Sequence, residues 1–352
     1  MIEATQPSVR WALPLLAPLL LGATPPTPAP SAQIAPPAAS APAAPPGEVT
    51  VDPVTGAVVP VIQPFDLDAT RRMSVQVTVG GKGPFSFLVD TGAERTVIAR
   101  ELAERLKLAP GEKLRLATIG SALTVPSYQI AALQMTNLSL SGFDAPAFDG
   151  RHIGAAGLIG VDMLENRRVL IDFRKQSMSI IEMGKRSRPI IRDDDAIIVT
   201  AKRLGGRLIL SDATLDGKRI DVIIDTGAQT SVGNPLLQKL IAGRRLNRTP
   251  FTPTTLEAVT GEAVPATQTI IKRMVIHGMD VNDLRISFAD AQAFRALGLD
   301  DRPALLLGMD CLSLFDRVEI DFANRRVVFD LPSAADSGTR FRFAANTAML
   351  GS

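Results

Sequence analysis

The chain has few cysteines and histidines, and their scarcity excludes several kinds of catalytic and metal centre. Its 352 residues include one cysteine, Cys311, and two histidines, His152 and His277. A single cysteine excludes an intramolecular disulfide and a zinc site built from several cysteines. Two histidines are too few ligands for a histidine-rich metal centre. The lack of a G-x-S-x-G motif argues against a serine triad. We therefore expect no metal centre of these kinds.

The chain also lacks an excess of charge of either sign. It has 38 lysines and arginines against 36 aspartates and glutamates, a formal net charge of +2. Binding to nucleic acid without sequence preference needs a strongly basic field, so we expect no nucleic-acid partner. The hydrophobic content of 46% can supply real cores, and the length suits two domains of ordinary size.

Hydrophobic runs are short as well. The apolar run near the start covers residues 11–21, follows Arg10, and is too short to span a bilayer. A positive charge, an apolar stretch and then small residues resemble a secretory signal peptide, which we assign to residues 1–22. This predicts export to the periplasm or the exterior, and an unstructured start is the alternative. Residues 23–64 are rich in alanine and proline, which predicts an extended linker.

The rest of the chain is an internal repeat in two copies. FSFLVDTGAERTVIARELAERL at 85–106 matches IDVIIDTGAQTSVGNPLLQKLI at 220–241. A second block at 157–181 matches 305–329, and the two blocks occur in the same order in each copy. Two copies are too few for a solenoid, so the repeat predicts a duplication whose copies face each other.

The repeat sets the predicted domain boundaries. We assign an N-terminal lobe to 65–183, a charged interlobe linker to 184–196, a C-terminal lobe to 197–332 and a loose tail to 333–352. Alternating strands joined by Gly-rich or polar turns recur in both copies, with one short helix after each motif. This pattern favours barrel-like β lobes over a parallel α/β sheet.

Three pairs of aspartates recur between the copies, and two of the pairs have structural explanations. Asp172 and Asp321 lie in strands of alternating pattern, so we expect them on a solvated face. Asp162 and Asp310 follow a glycine where a helix starts, so we expect them to cap that helix.

The third pair, Asp90 and Asp225, differs because each residue ends an apolar strand, where a lone carboxylate is costly to bury. The two motifs read Asp90-Thr91-Gly92-Ala93 and Asp225-Thr226-Gly227-Ala228. Glycine can adopt backbone angles that aim N–H groups at the carboxylate, and the threonine hydroxyls can donate and accept across an interface. Two such motifs at one place of a repeat indicate a paired carboxylate site.

With these motifs the chain resembles the aspartic proteases, and in particular the retropepsin-like family. Both copies share the resemblance, which includes the signatures Leu158-Ile159-Gly160 and Leu306-Leu307-Gly308. It implies a mostly β, bilobal acid-protease fold in which two β-barrel lobes form an intramolecular pseudo-dimer with one aspartate from each lobe. The glycine signatures would thread behind the aspartate loops. Segments 116–126 and 256–265 would be flaps, with Gly120 and Gly261 near their tips.

The resemblance also implies an activity. Asp90 and Asp225 would share one proton and activate a water against a peptide bond, with a peptide or protein as substrate. This chemistry would need no metal and no cofactor. Pepsin-like members carry a hydroxyl after the motif glycine, whereas this chain has Ala93 and Ala228, so we expect a mildly rather than strongly acidic optimum. A peptide-binding module without catalysis is the alternative function. A monomer is expected, with lobes paired between two chains of a homodimer as the other possibility.

Overall fold

The computed structural model describes residues 62–67, 72–135, 138–182, 196–204, 206–243 and 249–332. The predicted signal peptide, almost all of the linker before residue 65, the interlobe linker up to residue 195 and the tail lie outside the described residues. Export therefore stays a prediction. Within the described ranges, no helix has the length and apolar character that crossing a membrane requires.

The described elements of the first repeat are mostly strands. They are β1 (Ile62–Pro64), β2 (Asp66–Leu67), β3 (Met73–Val79), β4 (Lys82–Val89), β5 (Val97–Ala99), α1 (Arg100–Arg105), β6 (Leu114–Ala117), β7 (Ala122–Val125), β8 (Ser127–Met135), β9 (Leu138–Phe148), α2 (Gly150–Ile153), β10 (Gly157–Ile159), α3 (Val161–Leu164), β11 (Arg167–Asp172) and β12 (Ser177–Glu182).

The second repeat has a similar order of elements, with one strand fewer between its motif and its glycine signature. They are β13 (Ile197–Thr200), β14 (Lys202–Leu204), β15 (Arg207–Leu215), β16 (Lys218–Ile224), β17 (Val232–Gly233), α4 (Pro235–Ala242), β18 (Thr252–Glu257), β19 (Ala263–Ile276), β20 (Met279–Phe288), α5 (Gln292–Ala296), β21 (Ala304–Leu307), α6 (Met309–Leu312), β22 (Arg317–Asp321) and β23 (Arg326–Asp330).

Each repeat closes a six-stranded barrel. The first runs β3-β4-β10-β5-β9-β8 and closes through β3 and β8, and the second runs β15-β16-β21-β17-β20-β19 and closes through β15 and β19. Successive side chains of a strand point to opposite faces, so one face of each strand turns inward, as in Met73–Val79. Apolar side chains fill the interior. The predicted fold class, a mostly β bilobal acid-protease fold, is confirmed.

The residues at the start of α4 explain why a helix begins after the second motif. The Asn234 side chain accepts a hydrogen bond from the Leu237 N–H at 2.8 Å, and Pro235 occupies the first turn, where its missing N–H has no cost. Leu237 and Ile241 then pack one face of α4 into the core.

A third sheet joins the two repeats, in the order β1-β12-β11-β22-β23-β13. Its central strands β11 and β22 are antiparallel, and the register pairs Arg168 with Asp321 and Asp172 with Arg317. The pairing is reciprocal, as a two-fold relation between equivalent strands requires. The alternating strands joined by turns predict hairpins such as β11/β12 and β22/β23, but the sequence does not predict their assembly into one sheet.

This sheet corrects the expectation for Asp321. The side chain is 0% exposed rather than solvated, and it accepts a hydrogen bond from Arg168 Nη2 at 2.8 Å. Arg168 is 2% exposed and also pairs with the buried Glu319 at 3.0 Å. Pairing of β22 with β11 and β23 encloses the strand, which the alternating pattern alone could not reveal. The Asp172 side chain is also mostly buried, at 13% exposed, and it accepts from the Lys175 N–H at 2.9 Å.

The fold also begins earlier than the lobe boundary drawn at residue 65. Strand β1 lies inside the stretch assigned to the linker and pairs with β12, Ile62 opposite Ser179. Phe65 is buried directly after it and packs edge-on against Phe173.

Candidate active site

Both aspartates of the repeated motifs stand where a buried strand ends beside a parallel neighbour. Strand β4 ends at Val89 and β10 runs parallel to it, so that the Asp90 N–H donates to Ile159 O at 2.9 Å. In the second repeat β16 and β21 are arranged in the same way, and the Asp225 N–H donates to Leu307 O at 3.0 Å. The carboxylates thus project from loops whose starting point is held by the core of each barrel.

The glycine signatures lie directly behind these loops. A Cβ at Gly308 would stand 2.8 Å from the backbone carbon of Thr230, and one at Gly160 would overlap the backbone of Arg95. Only glycine permits so close an approach, because any side chain would push the loop away. This placement agrees with the threading that the family resemblance implies.

Asp162 and Asp310 have a second role beyond the expected capping. Asp162 lies in the first turn of α3, two residues after the N-cap Gly160, and accepts from the Met163 N–H at 2.9 Å. It also accepts from the Thr96 N–H at 2.8 Å and the Thr96 hydroxyl at 2.6 Å. Asp310 accepts the same two bonds from Ser231 at 3.0 and 2.7 Å. These carboxylates therefore anchor the far end of each aspartate loop.

The two motif threonines join the lobes. The Thr91 hydroxyl donates to Ile224 O at 2.9 Å, and the Thr226 hydroxyl donates to Val89 O at 2.8 Å. Each hydroxyl also accepts from the backbone N–H of the other threonine, at 3.0 and 3.1 Å. All four bonds are buried, so they rigidly fix one aspartate loop against the other.

Within each loop, the aspartate receives two backbone hydrogen bonds. Asp90 Oδ1 accepts from the N–H groups of Gly92 and Ala93 at 2.8 and 2.9 Å. Asp225 Oδ1 accepts from Gly227 and Ala228 at 3.1 and 3.0 Å. The same oxygen is engaged in both loops, and each carboxyl is thereby held in one orientation.

The two carboxyl groups meet across the interface. A Cβ at Gly92 would stand 2.5 Å from the Asp225 carboxyl carbon, and a Cβ at Gly227 would overlap the Asp90 carboxyl. Each carboxyl therefore lies against the glycine of the other motif, and neither glycine could carry a side chain. The structure brings together all eight motif residues that the sequence singles out.

Burial and mutual repulsion disfavour ionisation of both carboxyls. Desolvation raises the pKa of Asp90 above its usual range, against the opposing effect of the Gly92 N–H and of nearby arginines. Desolvation and the charge of Asp90 together raise the pKa of Asp225 to about 7. Both directions favour a pair that shares one proton, with one member as base and the other as acid.

Comparison with protein families agrees with this geometry. A family model described as aspartyl protease matches residues 75–163 and again residues 211–311, together more than half of the chain. The chain belongs to the aspartyl protease family. Each match starts in the strand before the motif strand and ends in the helix after the glycine signature, so it covers one barrel. A comparison with curated proteins gave no match.

Two hairpins correspond to the segments that the resemblance assigns as flaps. We call β6/β7 the first flap hairpin and β18/β19 the second flap hairpin. Gly120 lies in the turn of the first, and Gly261 lies in the turn of the second with φ +80°, where glycine is favoured. The Ser121 hydroxyl donates to Glu262 Oε2 at 2.9 Å, so the two tips touch.

Each flap hairpin rests on the opposite lobe. In the first, Ile119 O accepts from the Gln292 N–H at 3.2 Å, and its side chain packs against a cluster of the second lobe that includes Phe294. In the second, Glu257 lies 3.3 Å from His152 Nδ1 of the first lobe. The hairpins therefore cross between the lobes.

Sequence reasoning missed two arginines whose charges act on the dyad. Arg72 and Arg207 each lie eighteen residues before the motif aspartate of their repeat. Arg207 Nε donates to Gly92 O at 2.6 Å across the interface. Their identical spacing is a signal in the sequence, but both arginines precede the blocks in which the repeat is recognised.

The other chemistry-bearing residues lie elsewhere. Cys311 is fully buried and burial raises the pKa of its thiol well above the usual range, as suits a packing position. His277 pairs with Asp212 on the surface at 2.5 Å. Among the residues that the structure describes, no group of three or more His, Cys, Asp or Glu side chains could hold a metal ion.

Proposed function

We propose that this protein is an aspartic endopeptidase that hydrolyses peptide bonds with a water activated by Asp90 and Asp225. The observation that carries the proposal is the meeting of the two carboxyls, each held by two N–H groups and each against the other motif's glycine. Membership of the aspartyl protease family supports it.

The geometry suits a mechanism in which the protein supplies only the two carboxyls. The ionised carboxylate removes a proton from a water between the pair as the water oxygen attacks the peptide carbonyl carbon. The protonated carboxyl gives its proton to the carbonyl oxygen, and a neutral diol intermediate forms. The pair still holds one proton, now on the other member.

Breakdown of the diol restores the starting state. The newly protonated carboxyl gives its proton to the amide nitrogen, and the C–N bond breaks. The other carboxylate takes a proton from a diol hydroxyl as the new carboxylic acid forms. The dyad ends with one proton, as it began, and no covalent enzyme intermediate is needed.

The flap hairpins suggest how a peptide would be held. They cross between the lobes, so an extended peptide bound between them and the dyad would have strand-like backbone on either side. Main-chain hydrogen bonds would supply affinity and side-chain pockets would supply selectivity.

Incubation of the purified protein with a peptide library tests the proposal. New peptide termini are expected, and an aspartic-protease transition-state analogue should suppress their formation. Peptides that bind without cleavage at any pH between 3 and 8 would instead support the binding-module alternative. Size measurement of the active protein should give a monomer, because each chain supplies both aspartates.

The double variant Ala93→Ser/Ala228→Ser tests the expected pH dependence. A hydroxyl that donates to an ionised carboxylate lowers its pKa, so both limbs of the pH–rate profile should move to lower pH. A hydrogen bond worth about 1 kcal/mol moves a limb by roughly 0.5 to 1 pH unit. The wild-type optimum should be mildly acidic, in keeping with the raised pKa values of Asp90 and Asp225. A wild-type optimum at strongly acidic pH, or unmoved limbs in the variant, contradicts the expectation.

A further inference from the structure

The second flap hairpin meets the first lobe at a histidine. His152 Nδ1 lies 3.3 Å from Glu257 Oε1, and Glu257 is the strand residue next to the turn, paired with Ala263. A Cβ at Gly261, inside that turn, would stand 2.4 Å from His152 Cε1. The imidazole ring therefore lies against the tip of the hairpin and pairs with the carboxylate beside the tip.

His152 belongs to a helix that is fixed to the first barrel. The next residue of α2, Ile153, is 0% exposed, and its carbonyl accepts from Arg72 Nη2 at 3.0 Å. The helix then ends at Gly154 with φ +79°. Glu257, in contrast, projects from the hairpin with 70% of its side chain exposed. The ring is thus a fixed contact point of the first lobe for a hairpin that extends from the second.

Charged groups near the ring come from the hairpin and from several parts of the first lobe. They are Glu257 and Glu262 of the hairpin, Asp149 and Arg151 at the start of α2, Glu101 of α1, and Arg72. Side-chain hydrogen bonds from Arg151 at 3.1 and 2.7 Å, together with the charge of His152, lower the pKa of Asp149. Glu101 accepts from the Gly150 N–H at 2.9 Å. The Glu257 carboxylate contacts the ring itself, so a charge gained by the ring acts strongly there.

We propose that His152 is a positioning residue that, when protonated, holds the second flap hairpin against the first lobe by pairing with Glu257, so that mild acid favours the closed hairpin. This inference rests on the proposed function for the part that the hairpin plays in binding a peptide.

The chemistry of the pair makes the contact depend on pH. A histidine ordinarily gains its proton in mild acid, where a glutamate ordinarily stays ionised. The two side chains then attract each other as opposite charges, whereas at neutral pH only a hydrogen bond joins them. Pairs that are partly exposed are weak, so we expect a change of about two- to fivefold in the closed population. Mild acid is also the range in which the dyad is expected to work.

The first flap hairpin is held in another way. Ile119 O accepts from the Gln292 N–H at 3.2 Å, and the Ile119 side chain packs against apolar residues of the second lobe. A backbone hydrogen bond and apolar packing carry no net charge, so this contact does not change with the protonation of a side chain. The dependence on pH is therefore expected at the second flap hairpin.

Amide hydrogen exchange of the full chain tests the proposal without relying on turnover. Protection of the second flap hairpin is measured at about pH 5 and about pH 8, relative to the intrinsic exchange rate at each pH. In the wild type it should fall about two- to fivefold as the pH rises. His152→Asn keeps an amide donor near the position of Nδ1 but gains no charge, so its protection should be low at both pH values. His152→Lys keeps a cation and should retain the high protection at both.

A second histidine of the chain provides the matched control. His277 pairs with Asp212 on the surface, directly after the end of β19 that lies away from the flap tip, and its φ of 46° suits asparagine. In His277→Asn the flap hairpin should keep the wild-type dependence on pH. Glu257→Gln is the second neutral variant and should remove that dependence as His152→Asn does. Wild-type protection that does not change with pH, or an equal loss in His277→Asn, overturns the proposal.

The KM of a cleaved library peptide gives the kinetic counterpart. A hairpin that is already held in place lowers the cost of ordering the site on binding, so KM should rise about two- to fivefold from mild acid to neutral pH. In His152→Asn, KM should be high at both pH values, and kcat should keep its wild-type pH profile because the dyad sets it. A lower kcat with an unchanged KM would overturn the proposal. A wild-type protein without peptidase activity would refute the proposed function alone, because hydrogen exchange would still report on the His152–Glu257 pair.

Discussion

Asp90→Asn and Asp225→Asn are each expected to lower peptide turnover by at least about a thousandfold while the fold stays intact. One ionised and one protonated carboxyl are needed, and an asparagine at either position removes one of them but preserves the shape. The two N–H groups that bind each Oδ1 can still donate to an amide oxygen. Initial rates on a cleaved library peptide, with circular dichroism of each variant, provide the measurement.

Asp283→Asn is the matched control for this substitution. Asp283 is exposed, pairs with the equally exposed Lys272 at 2.9 Å, and has a positive φ of 51° that asparagine tolerates. Turnover should be unchanged. Substantial turnover in either dyad variant would mean that the two carboxyls do not act together.

Mixing the two dyad variants distinguishes the monomer from the homodimer. If each chain forms its own dyad, every molecule in the mixture lacks one carboxyl and the mixture stays inactive. If the N-terminal lobe of one chain pairs with the C-terminal lobe of another, a mixed dimer contains one intact Asp90–Asp225 pair, and partial activity returns.

Arg168→Ala is expected to lower the free energy of unfolding by about 3–5 kcal/mol. The substitution leaves Glu319 and Asp321 buried without their shared cation. The exposed pair Lys272–Asp283 provides the control, since Lys272→Ala should cost no more than about 1 kcal/mol. Denaturant unfolding of the two variants measures the difference, and equal losses would show that the buried cluster does not stabilise the sheet.

The buried cluster of Arg168, Glu319 and Asp321 should still stabilise the fold in mild acid. Although burial opposes it, hydrogen bonds from Arg168 and Asn324 lower the pKa of Asp321 below its ordinary value. The stabilisation is then complete above the ordinary pKa of aspartate and is lost only as the pH falls through the lowered value. The interlobe sheet should therefore hold the lobes together at the pH where the dyad is expected to work.

The local sequence was sufficient to predict the two barrels and to select Asp90 and Asp225 among the repeated aspartates. Apolar runs such as Phe87-Leu88-Val89 predict a buried strand, and a carboxylate at the end of such a strand in both copies has no simple structural explanation. The glycines of the motifs and of the signatures could also be recognised from the sequence. In the structure, each stands where a side chain would collide with neighbouring atoms. These features depend on residues close together in the chain.

The tertiary structure alone decided which strands and side chains meet between the lobes. Asp321 was expected on a solvated face, yet its partner Arg168 lies 153 residues away and encloses it. Arg207 likewise acts on Gly92 across 115 residues. The alternation of apolar and polar residues predicts which face of a strand turns to its own core. Whether the other face is buried depends on a distant strand and on its register. The sequence by itself therefore determined the two barrels and their paired aspartates, and only the packing of the lobes decided the sheet that joins them and the contact of Arg207 with Gly92.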